Sequence, residues 1–486
     1  MKKIFLLAFC FFLSAGAFAR TAVIYHTSDT HGFFFPKNGQ GGAAALAAVL
    51  KSGPKEYLLL DGGDFAEGTV ETKNSKGLKA VALMNRLGYH AATIGNHEFA
   101  YRDGGLEEIL SRAEFAVLAA NFFERESGLR PQKVAPYQIF SVNGVKIAVI
   151  GLANRNPTVA TKKYRFSKPL EALENALGEV EKQAPSAVVV LAHDSVVDDR
   201  PGDPNYMGDI GRKYAGRVHA VLGGHAHKVI QNRYIKGVLF AESGSNFRSV
   251  SKITLTTDDK TGKLVKVQSE LIALDPSVTG TDKKMEAFAE SLREPGVDEV
   301  LGVLEQPISK KSANPAFADS PADNWVADVG RAYSGADVFI SNTGGVRVGL
   351  EAGEVTRRDL IDFFPFDDEV VNTEVDGRFL KSLVKNSLLP WNRFCYSGLK
   401  LTYREKNGKV KNLKIWVNGR PLRNGQKYVI GTNSYIAGGG SEGKVFKMIP
   451  AENKKQIGEK TIRTLLEETL KKGTVSTPES GRIQRF

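Results

Sequence analysis

Cysteine is almost absent from this sequence. Only two of its 486 residues are cysteines, Cys10 and Cys395, and Cys10 lies inside an N-terminal apolar run. If that run is removed, Cys395 has no partner for an internal disulfide. A disulfide-stapled small fold is therefore excluded, and we expect a large buried core to hold the chain together.

Long hydrophobic runs are also missing beyond the first twenty residues. The apolar run from Ile4 to Leu13 follows Lys2 and Lys3 and precedes Ala17-Phe18-Ala19, which is the pattern of a secretory signal peptide. The run is too short to cross a bilayer as a helix. We predict a signal peptide over residues 1–19, cleavage after Ala19, no transmembrane segment, and a periplasmic or extracellular protein.

Positive charge is in excess, but it is not concentrated. The formal net charge is +12 and falls to +10 without Lys2 and Lys3. This excess favours anionic substrates or surfaces, such as nucleotides, phospholipid or cell-wall polymer. Because the Lys and Arg residues are scattered, with no dense basic stripe carrying interleaved aromatics, we expect no stable nucleic-acid complex.

The length and the apolar pattern predict two domains. In the first half, short apolar runs alternate with helical patterns, which is typical of an α/β layered domain. These runs lie at 22–25, 57–60, 91–94, 145–150, 187–191 and 220–222. A break at Asp275-Pro276 and a polar helix follow. We predict a first domain over 20–275, a linker helix over 276–299 and a second domain over 300–486.

Functional side chains follow these apolar runs, in five separate loops. Five of the eight histidines are among them, together with two aspartates and an asparagine: Asp29, His31, Asp64, Asn96, His97, His193, His225 and His227. Any one of these short motifs alone is more simply a solvated turn or a capping residue. Loops at the carboxyl ends of strands converge on ligands, however, and histidine is the commonest metal ligand. The clustering therefore predicts a metal site.

Seven of these residues suit two metal ions better than one tetrahedral zinc. Asp64 is the natural bridge, because a carboxylate has two oxygens to share. The predicted ligands of one ion are Asp29, His31 and His227, and those of the other are Asn96, His193 and His225. These donor types accommodate Zn, Mn, Co, Fe or Ni. A hydroxide bridging two ions about 3.5–4 Å apart would attack phosphorus in line.

The order of these motifs resembles that of the calcineurin-like metallophosphoesterases. The stretch "GNHEF", beginning at Gly95 in an exported two-domain chain, is similar to the bacterial periplasmic 5'-nucleotidase/UDP-sugar hydrolase family. The resemblance implies a four-layer α/β/β/α metallophosphatase domain followed by an α+β substrate-binding domain. It also implies that the seven residues are the ligands, whereas His97 faces the phosphate and stabilises the transition state or acts as general acid.

Three second-domain motifs extend the resemblance. "SNTGGVR" implies that Asn342 and Arg347 hold the phosphate, which agrees with the planar donor fork of arginine. "FFPFDD" and "NSYIAGGGSEG" imply that Phe366 and Tyr435 clamp the base between two rings. Such stacking contributes roughly 1–3 kcal/mol per base and tolerates different bases. Phe363 and Phe364 are instead expected to pack in the core.

Two of the departures from the family pattern bear on the predicted site. Ala100 stands where the family usually carries an Asp that holds the catalytic His, so Asp103 is the nearest carboxylate that could substitute. Ser441 stands where the family has an Asp that contacts the ribose, which leaves the nucleoside specificity open.

These observations predict an exported di-metal phosphohydrolase that releases nucleoside and phosphate from nucleoside monophosphates. The same chemistry on UDP-sugars, cyclic nucleotides or another phosphoester is an alternative. An envelope protein that binds nucleotides with little turnover is an alternative of another class, supported only by Ala100.

Overall fold

The structure is a computed structural model. It describes residues 19–37, 39–196, 207–311, 319–388, 394–406, 409–440 and 443–473, and near the C-terminus 475, 477–478 and 480–485. The predicted signal peptide, except Ala19, lies outside the described residues. The chain divides into two units, one ending at Arg293 and the other beginning at Glu294.

The first unit contains two large sheets and the helices that cover them. Its strands are β1 (Ala19–Thr27), β2 (Leu58–Asp61), β3 (Ala91–Ala92), β4 (Ala116–Leu118), β5 (Phe122–Glu124), β6 (Val134–Ala135), β7 (Tyr137–Val142), β8 (Val145–Leu152), β9 (Tyr164–Phe166), β10 (Ala187–Ala192), β11 (Ala220–Gly223), β12 (Val229–Ile235), β13 (Val238–Ser243), β14 (Ser249–Asp258) and β15 (Leu264–Ala273). Its helices are α1 (Ala43–Ser52), α2 (Val70–Asn74), α3 (Leu78–Leu87), α4 (Arg102–Arg112), α5 (Pro169–Glu181), α6 (Gly208–Tyr214), α7 (Pro276–Thr279) and α8 (Lys283–Ser291), with a 3₁₀ turn at His97–Phe99.

The two sheets stack face to face and form four layers with the helices. One sheet has the order β15-β14-β1-β2-β3-β4-β6 and the other β12-β13-β11-β10-β8-β7. Both faces of the first sheet are covered, because alternate residues of β1 point to opposite sides. Ala22 and Ile24 pack between the two sheets, whereas Val23 and Tyr25 pack against the helices. The second sheet packs its outer face against α5 and α6. The predicted α/β/β/α arrangement is confirmed.

Parallel pairing brings the functional loops to shared edges. Strand β1 runs parallel to β2, β2 to β3, β8 to β10, and β10 to β11. Each predicted apolar run of the first half forms all or part of one of these strands. The loops that follow β1, β2, β3, β10 and β11 carry the predicted ligands, so the carboxyl ends of the strands position them.

The segment predicted as a linker is divided between the units. In α8, Met285 and Ala289 are buried in the core of the first unit, and the Asp282 N–H donates to the Ala44 carbonyl. The boundary at Arg293 and Glu294 therefore falls inside the segment 276–299.

The second unit is an α+β assembly built on a five-stranded and a four-stranded sheet. Its strands are β16 (Val300–Leu304), β17 (Val338–Asn342), β18 (Gly353–Thr356), β19 (Glu369–Asp376), β20 (Phe394–Ser397), β21 (Leu399–Lys406), β22 (Lys409–Val417), β23 (Arg420–Pro421), β24 (Lys427–Asn433), β25 (Lys454–Thr461) and β26 (Ile483–Arg485). Its helices are α9 (Pro321–Ser334), α10 (Arg357–Phe363), α11 (Gly377–Ser387), α12 (Ser434–Ala437) and α13 (Ile462–Lys471), with 3₁₀ turns at Lys444–Met448 and Ala451–Asn453.

The five-stranded sheet has the order β20-β17-β24-β19-β25 and the four-stranded sheet β23-β22-β21-β26. Helices α9, α10 and α13 pack in one core of this unit, and α11 packs with strands of both sheets in another. Cys395 is buried as a free thiol in the core that contains α9, α10 and α13. Within the described part of the chain, no helix is both long and apolar enough to cross a membrane.

Candidate active site

The loops after β1 and β11 bring Asp29, His31 and His227 together in the first unit. One donor atom from each lies within 4.8 Å of the others. The Nε2 atoms of His31 and His227 are 3.1 Å apart, and His227 Nε2 is 3.5 Å from Asp29 Oδ1. These are the three residues that the sequence assigns to one ion.

The loops after β2, β10 and β11 form a second group from Asp64, His193 and His225, again within 4.8 Å of one another. His193 Nε2 is 3.0 Å from Asp64 Oδ2 and 3.9 Å from Asp29 Oδ1. Asp64 also lies in a third such group with His31 and His97. Asp64 is thus within reach of both sets of histidines, as a bridging carboxylate must be.

Several potential ligand atoms in the cluster are oriented so that they could bind a cation. Asn96 Oδ1 and His193 Nε2 are buried and make no hydrogen bond of good geometry to the described residues, although His193 Nε2 is close to the Asp64 carboxylate. His31 Nδ1 is 2.7 Å from the Glu67 carbonyl and His193 Nδ1 is 2.7 Å from the Gly62 carbonyl. When these Nδ1–H groups donate to the carbonyls, both Nε2 lone pairs face the cluster, which is the usual orientation of metal-binding histidines.

The cluster also concentrates negative charge. Burial alone would lower the pKa of His193, but the carboxylates of Asp64 and Asp29 outweigh burial and raise it to about 10. A buried carboxylate cluster of this kind requires compensation by cations. The mixed O/N donor set suits divalent metal ions, with Asp29, His31 and His227 in one group and Asp64, His193 and His225 in the other.

The backbone at the cluster is strained. Asp29, His31, Asp64, His225 and His227 all have positive φ, between 49° and 72°. L-residues other than Asn and Asp seldom adopt this region, and such strain is concentrated at functional sites. Gly95 is not among the residues with positive φ. A Cβ at Gly95 would instead overlap the Asp64 carboxylate, so glycine is required there by close approach.

Glu98 holds two of these loops in place. Its buried carboxylate accepts hydrogen bonds from the backbone N–H groups of Asp64, Phe65, Ala66 and Gly95, at 2.6–3.1 Å. Phe99 is fully buried beside it. Glu98 and Phe99 thus stabilise the loops around the cluster.

His97 is held by a carboxylate that sequence reasoning missed. Its Nδ1 contacts Glu67 Oε2, while its Nε2 lies 4.0 Å from Asp64 Oδ2, on the side of the cluster. Burial lowers the pKa of His97, but the carboxylates of Glu67 and Asp64 outweigh it and raise the pKa above its ordinary value. The pairing fixes the ring and its tautomer, with the proton of Nδ1 directed at Glu67.

The prediction that Asp103 substitutes for the missing partner at Ala100 is wrong. The Asp103 carboxylate accepts hydrogen bonds from Thr161 Oγ1 and from the backbone N–H groups of Lys162 and Lys163. Asp103 is the second residue of α4, and its side chain caps the 161–163 loop. Glu67 could have been suspected from its place three residues after Asp64, but only the folded turn shows which side chain it meets.

In the second unit, the predicted phosphate-binding residue Asn342 ends β17, and Arg347 lies in the loop that follows. Asn342 Oδ1 accepts a hydrogen bond of 3.0 Å from Asn433 Nδ2. Arg347 is exposed, and its guanidinium lies 6.0 Å from the centre of the Phe366 ring. Its Nη1 donates to the Gly344 carbonyl at 3.4 Å, and the rest of the exposed donor fork can meet an anion.

The predicted base-clamp rings are the exposed aromatic residues of their segments. Phe366 is 40% exposed and Tyr435 is 42% exposed, whereas Phe363 and Phe364 are fully buried as expected. Ser434 Oγ donates to Asp368 Oδ1 at 3.2 Å, which ties the two ring-bearing segments together. Ser441 lies outside the described residues.

Comparisons with known proteins agree with both units. Residues 22–229 match the model of the calcineurin-like phosphoesterase family, and residues 300–450 match the 5'-nucleotidase C-terminal domain. The chain is 25% identical to Endonuclease YhcR of Bacillus subtilis over 81% of this chain, although it spans only 34% of that protein's length. It is 26% identical to a 5'-nucleotidase of Vibrio vulnificus, with 86% of this chain and 84% of that protein covered.

A solved structure shares the fold. The crystal structure of a 5'-nucleotidase precursor from Thermus thermophilus superposes with a TM-score of 0.74 at 22% identity, covering 96% of this chain and 99% of that one. The two domain matches and the His/Asp clusters lead to one assignment. The chain is a calcineurin-like phosphoesterase with a 5'-nucleotidase C-terminal domain, and thus a metallophosphoesterase of the 5'-nucleotidase family.

Proposed function

We propose that this protein is an exported, two-metal 5'-nucleotidase that hydrolyses nucleoside monophosphates to nucleoside and phosphate. The observation that carries the proposal is the Asp64-centred cluster, with His97 beside it and turned towards it. The predicted signal sequence supports export.

Divalent ions held by the seven residues would neutralise the phosphoryl oxygens and activate the attacking water. The residues of the chain then have separate tasks. Asp64 joins the two ligand sets, and Glu98 fixes the loop that carries it. His97, with Nδ1 held by Glu67, presents Nε2 to protonate the departing oxygen of the nucleoside.

Substrate binding is assigned to the second unit. Arg347 would bind the phosphate with its exposed donor fork, assisted by Asn342. Phe366 and Tyr435, both large exposed rings, would stack on the base. Stacking tolerates different bases, so we expect several nucleoside monophosphates to be cleaved.

UDP-sugars, cyclic nucleotides and other phosphoesters remain the alternative substrates of the same chemistry. Among the relatives, one is named an endonuclease and another a 5'-nucleotidase, so names at about 25% identity do not select the substrate. A low-turnover nucleotide-binding protein is the weaker proposal. Its only support was Ala100, and the contact of Glu67 with His97 removes that support.

A substrate panel tests the proposal. The purified protein is loaded with Mn²⁺, Co²⁺ or Zn²⁺ and incubated with nucleoside monophosphates, UDP-glucose, a cyclic nucleotide and a sugar phosphate, and phosphate release is followed. We expect the highest kcat/KM for the monophosphates, with His97→Ala as the control. Nucleotide binding without release above that control would refute the hydrolase proposal, and a preference for another phosphoester would refute the substrate assignment.

A further inference from the structure

The outward face of the four-stranded sheet in the second unit is strongly cationic. Side chains of β21 alternate between the core and solvent: Leu399, Leu401 and Tyr403 are buried, and the intervening residues point outward. In β22, Ile415 and Val417 are buried in the same core. The outward positions carry six cations, which we call the cationic face: Lys400, Arg404, Lys406, Lys409, Lys411 and Lys414.

The cationic face has no anionic partner among the described residues. None of them forms a hydrogen bond or an ion pair through its side chain with the residues that the structure describes. Arg404 lies directly opposite Lys411 in the ladder, and Lys406 lies opposite Lys409. Like charges in directly opposed positions destabilise a sheet. Elsewhere in this unit many cations are neutralised, for example Arg357 by Glu299 and Lys471 by Glu467.

A half-buried tryptophan adjoins the cations. Trp416 lies opposite Lys400 in the ladder and lines a groove of about 520 Å³ together with Lys400, Thr402 and Gln484. Arg331 and Arg482 also line it, with their guanidinium groups bonded to Asn418 and Asp328. The groove thus places an indole side chain next to Lys400, one of the unpaired cations.

We propose that the cationic face binds single-stranded nucleic acid. Unpaired cations complement a phosphate backbone, and outward side chains recur every two residues along a strand, about 6.8 Å apart, which is close to the step between phosphates in an extended strand. Trp416 would stack on an unpaired base, as aromatic residues do in other single-strand binders. A duplex offers no unstacked base to this ring.

A membrane surface fits this face less well. Binding to a bilayer usually adds insertion of exposed apolar side chains to electrostatic attraction. Among the described residues, no strongly exposed large hydrophobic side chain lies on β21 or β22. The six cations fall within the fifteen residues from 400 to 414, and the pairing of β21 with β22 places them on one face of the sheet.

The test measures binding in the absence of turnover, independently of the proposed nucleotidase activity. A fluorescent 20-nucleotide oligothymidylate is titrated with the full chain in chelator, and anisotropy is followed at several salt concentrations. For single-stranded nucleic acid, each cation that contacts a phosphate contributes about −0.7 to the slope of log K against log salt concentration. We therefore expect a slope of about −4 for six cations.

Two variants of equal charge separate the cationic face from general basicity. Arg404→Gln with Lys411→Gln should weaken binding roughly 25-fold at 0.1 M salt and reduce the slope by about 1.4, following the same dependence. Lys381→Gln with Lys385→Gln, on the exposed side of α11, should leave both nearly unchanged. Trp416→Ala should weaken binding at least about fivefold, and Trp416→Phe should restore most of it.

Equal losses in both double variants would overturn the proposal. So would tighter binding to duplex DNA of the same length, or to vesicles of anionic phospholipid, than to the oligothymidylate. Phosphate release from a mononucleotide should be the same in wild type and in the Arg404/Lys411 variant, which shows that the variant is folded.

Discussion

At the scale of single residues, Glu67 and His97 form the contact that most changes the interpretation of the site. The sequence shows Ala100 where the family usually places a carboxylate, and that alone suggests an impaired catalyst. In the structure, the Glu67 side chain reaches His97 Nδ1 from a different loop. The carboxylate that orients the imidazole therefore comes from the loop after β2, and not from the turn after β3.

This arrangement predicts a leaving-group dependence for Glu67→Ala. A disoriented His97 protonates the departing nucleoside oxygen poorly, so kcat for a nucleoside monophosphate should fall roughly 10- to 100-fold, within the range of general acid catalysis. A nitrophenyl phosphate ester leaves as a stable anion, and its kcat should change little. Steady-state kinetics on both substrates measure the difference, and Ala100→Asp in the Glu67→Ala background should recover part of the loss.

Asp103→Ala is the matched control for Glu67→Ala. Its carboxylate caps the 161–163 loop and does not approach His97, so kcat for both substrates should stay within about twofold of wild type. A larger loss in Asp103→Ala than in Glu67→Ala would contradict the structural assignment.

At the scale of elements, the loops at the strand ends are held by Glu98. Both oxygens of Glu98 accept hydrogen bonds from backbone N–H groups. A glutamine at this position has a single acceptor oxygen, so its NH₂ donor would face some of these N–H donors. We predict that Glu98→Gln lowers metal affinity about 10- to 100-fold, the usual effect of losing an orienting partner. Competition with a chromophoric chelator measures it. The exposed Glu108→Gln on α4 is the control, and equal affinities in the two variants would contradict this role.

The start of α9 carries a second testable carboxylate. Burial raises the pKa of Asp323 to about 6, although the Ser320 hydroxyl that bonds it acts in the opposite direction. An acid whose folded pKa is raised favours folding at low pH, and this advantage disappears as pH rises from about 4 to about 6. Asp323→Asn should therefore gain stability relative to wild type over that window, by at most about 3 kcal/mol.

Thermal melts of Asp323→Asn and wild type at pH 4, 5, 6 and 7 test this expectation. The difference in Tm, variant minus wild type, should rise between pH 4 and 6 and then remain constant. A difference that is independent of pH would show that Asp323 titrates normally.

Sequence reasoning located the strands and the ligand loops because buried parallel strands have a strong apolar pattern. The runs at 22–25, 187–191 and 220–222 each form one strand, and polar residues after them fall at the predicted edge. The contacts of Glu67 and Glu98 could not be predicted in this way, since they depend on how two loops approach each other. The capping role of Asp103 was hidden for the same reason, because its partners lie nearly sixty residues further along the chain.

At the scale of the whole molecule, the chain consists of two units with separate cores. The ligands of the predicted metals all belong to the first unit, so metal binding should stabilise that unit in particular. Free metal at 100 times its Kd adds about 2.7 kcal/mol per site. We expect chelation to lower the Tm of one calorimetric transition and to leave a second transition, from the other unit, nearly unchanged. Equal shifts of both transitions would contradict this assignment.

The central claim is that the Asp29/Asp64 cluster is a two-metal site that hydrolyses phosphoesters. The most direct measurement follows phosphate release from a nucleoside monophosphate while Co²⁺ is added stepwise to chelator-treated protein at a concentration well above Kd. The account predicts little activity up to one equivalent, a rise to a plateau at two equivalents, and no rise in Asp64→Asn. Full activity at one equivalent, or none at two, would contradict it.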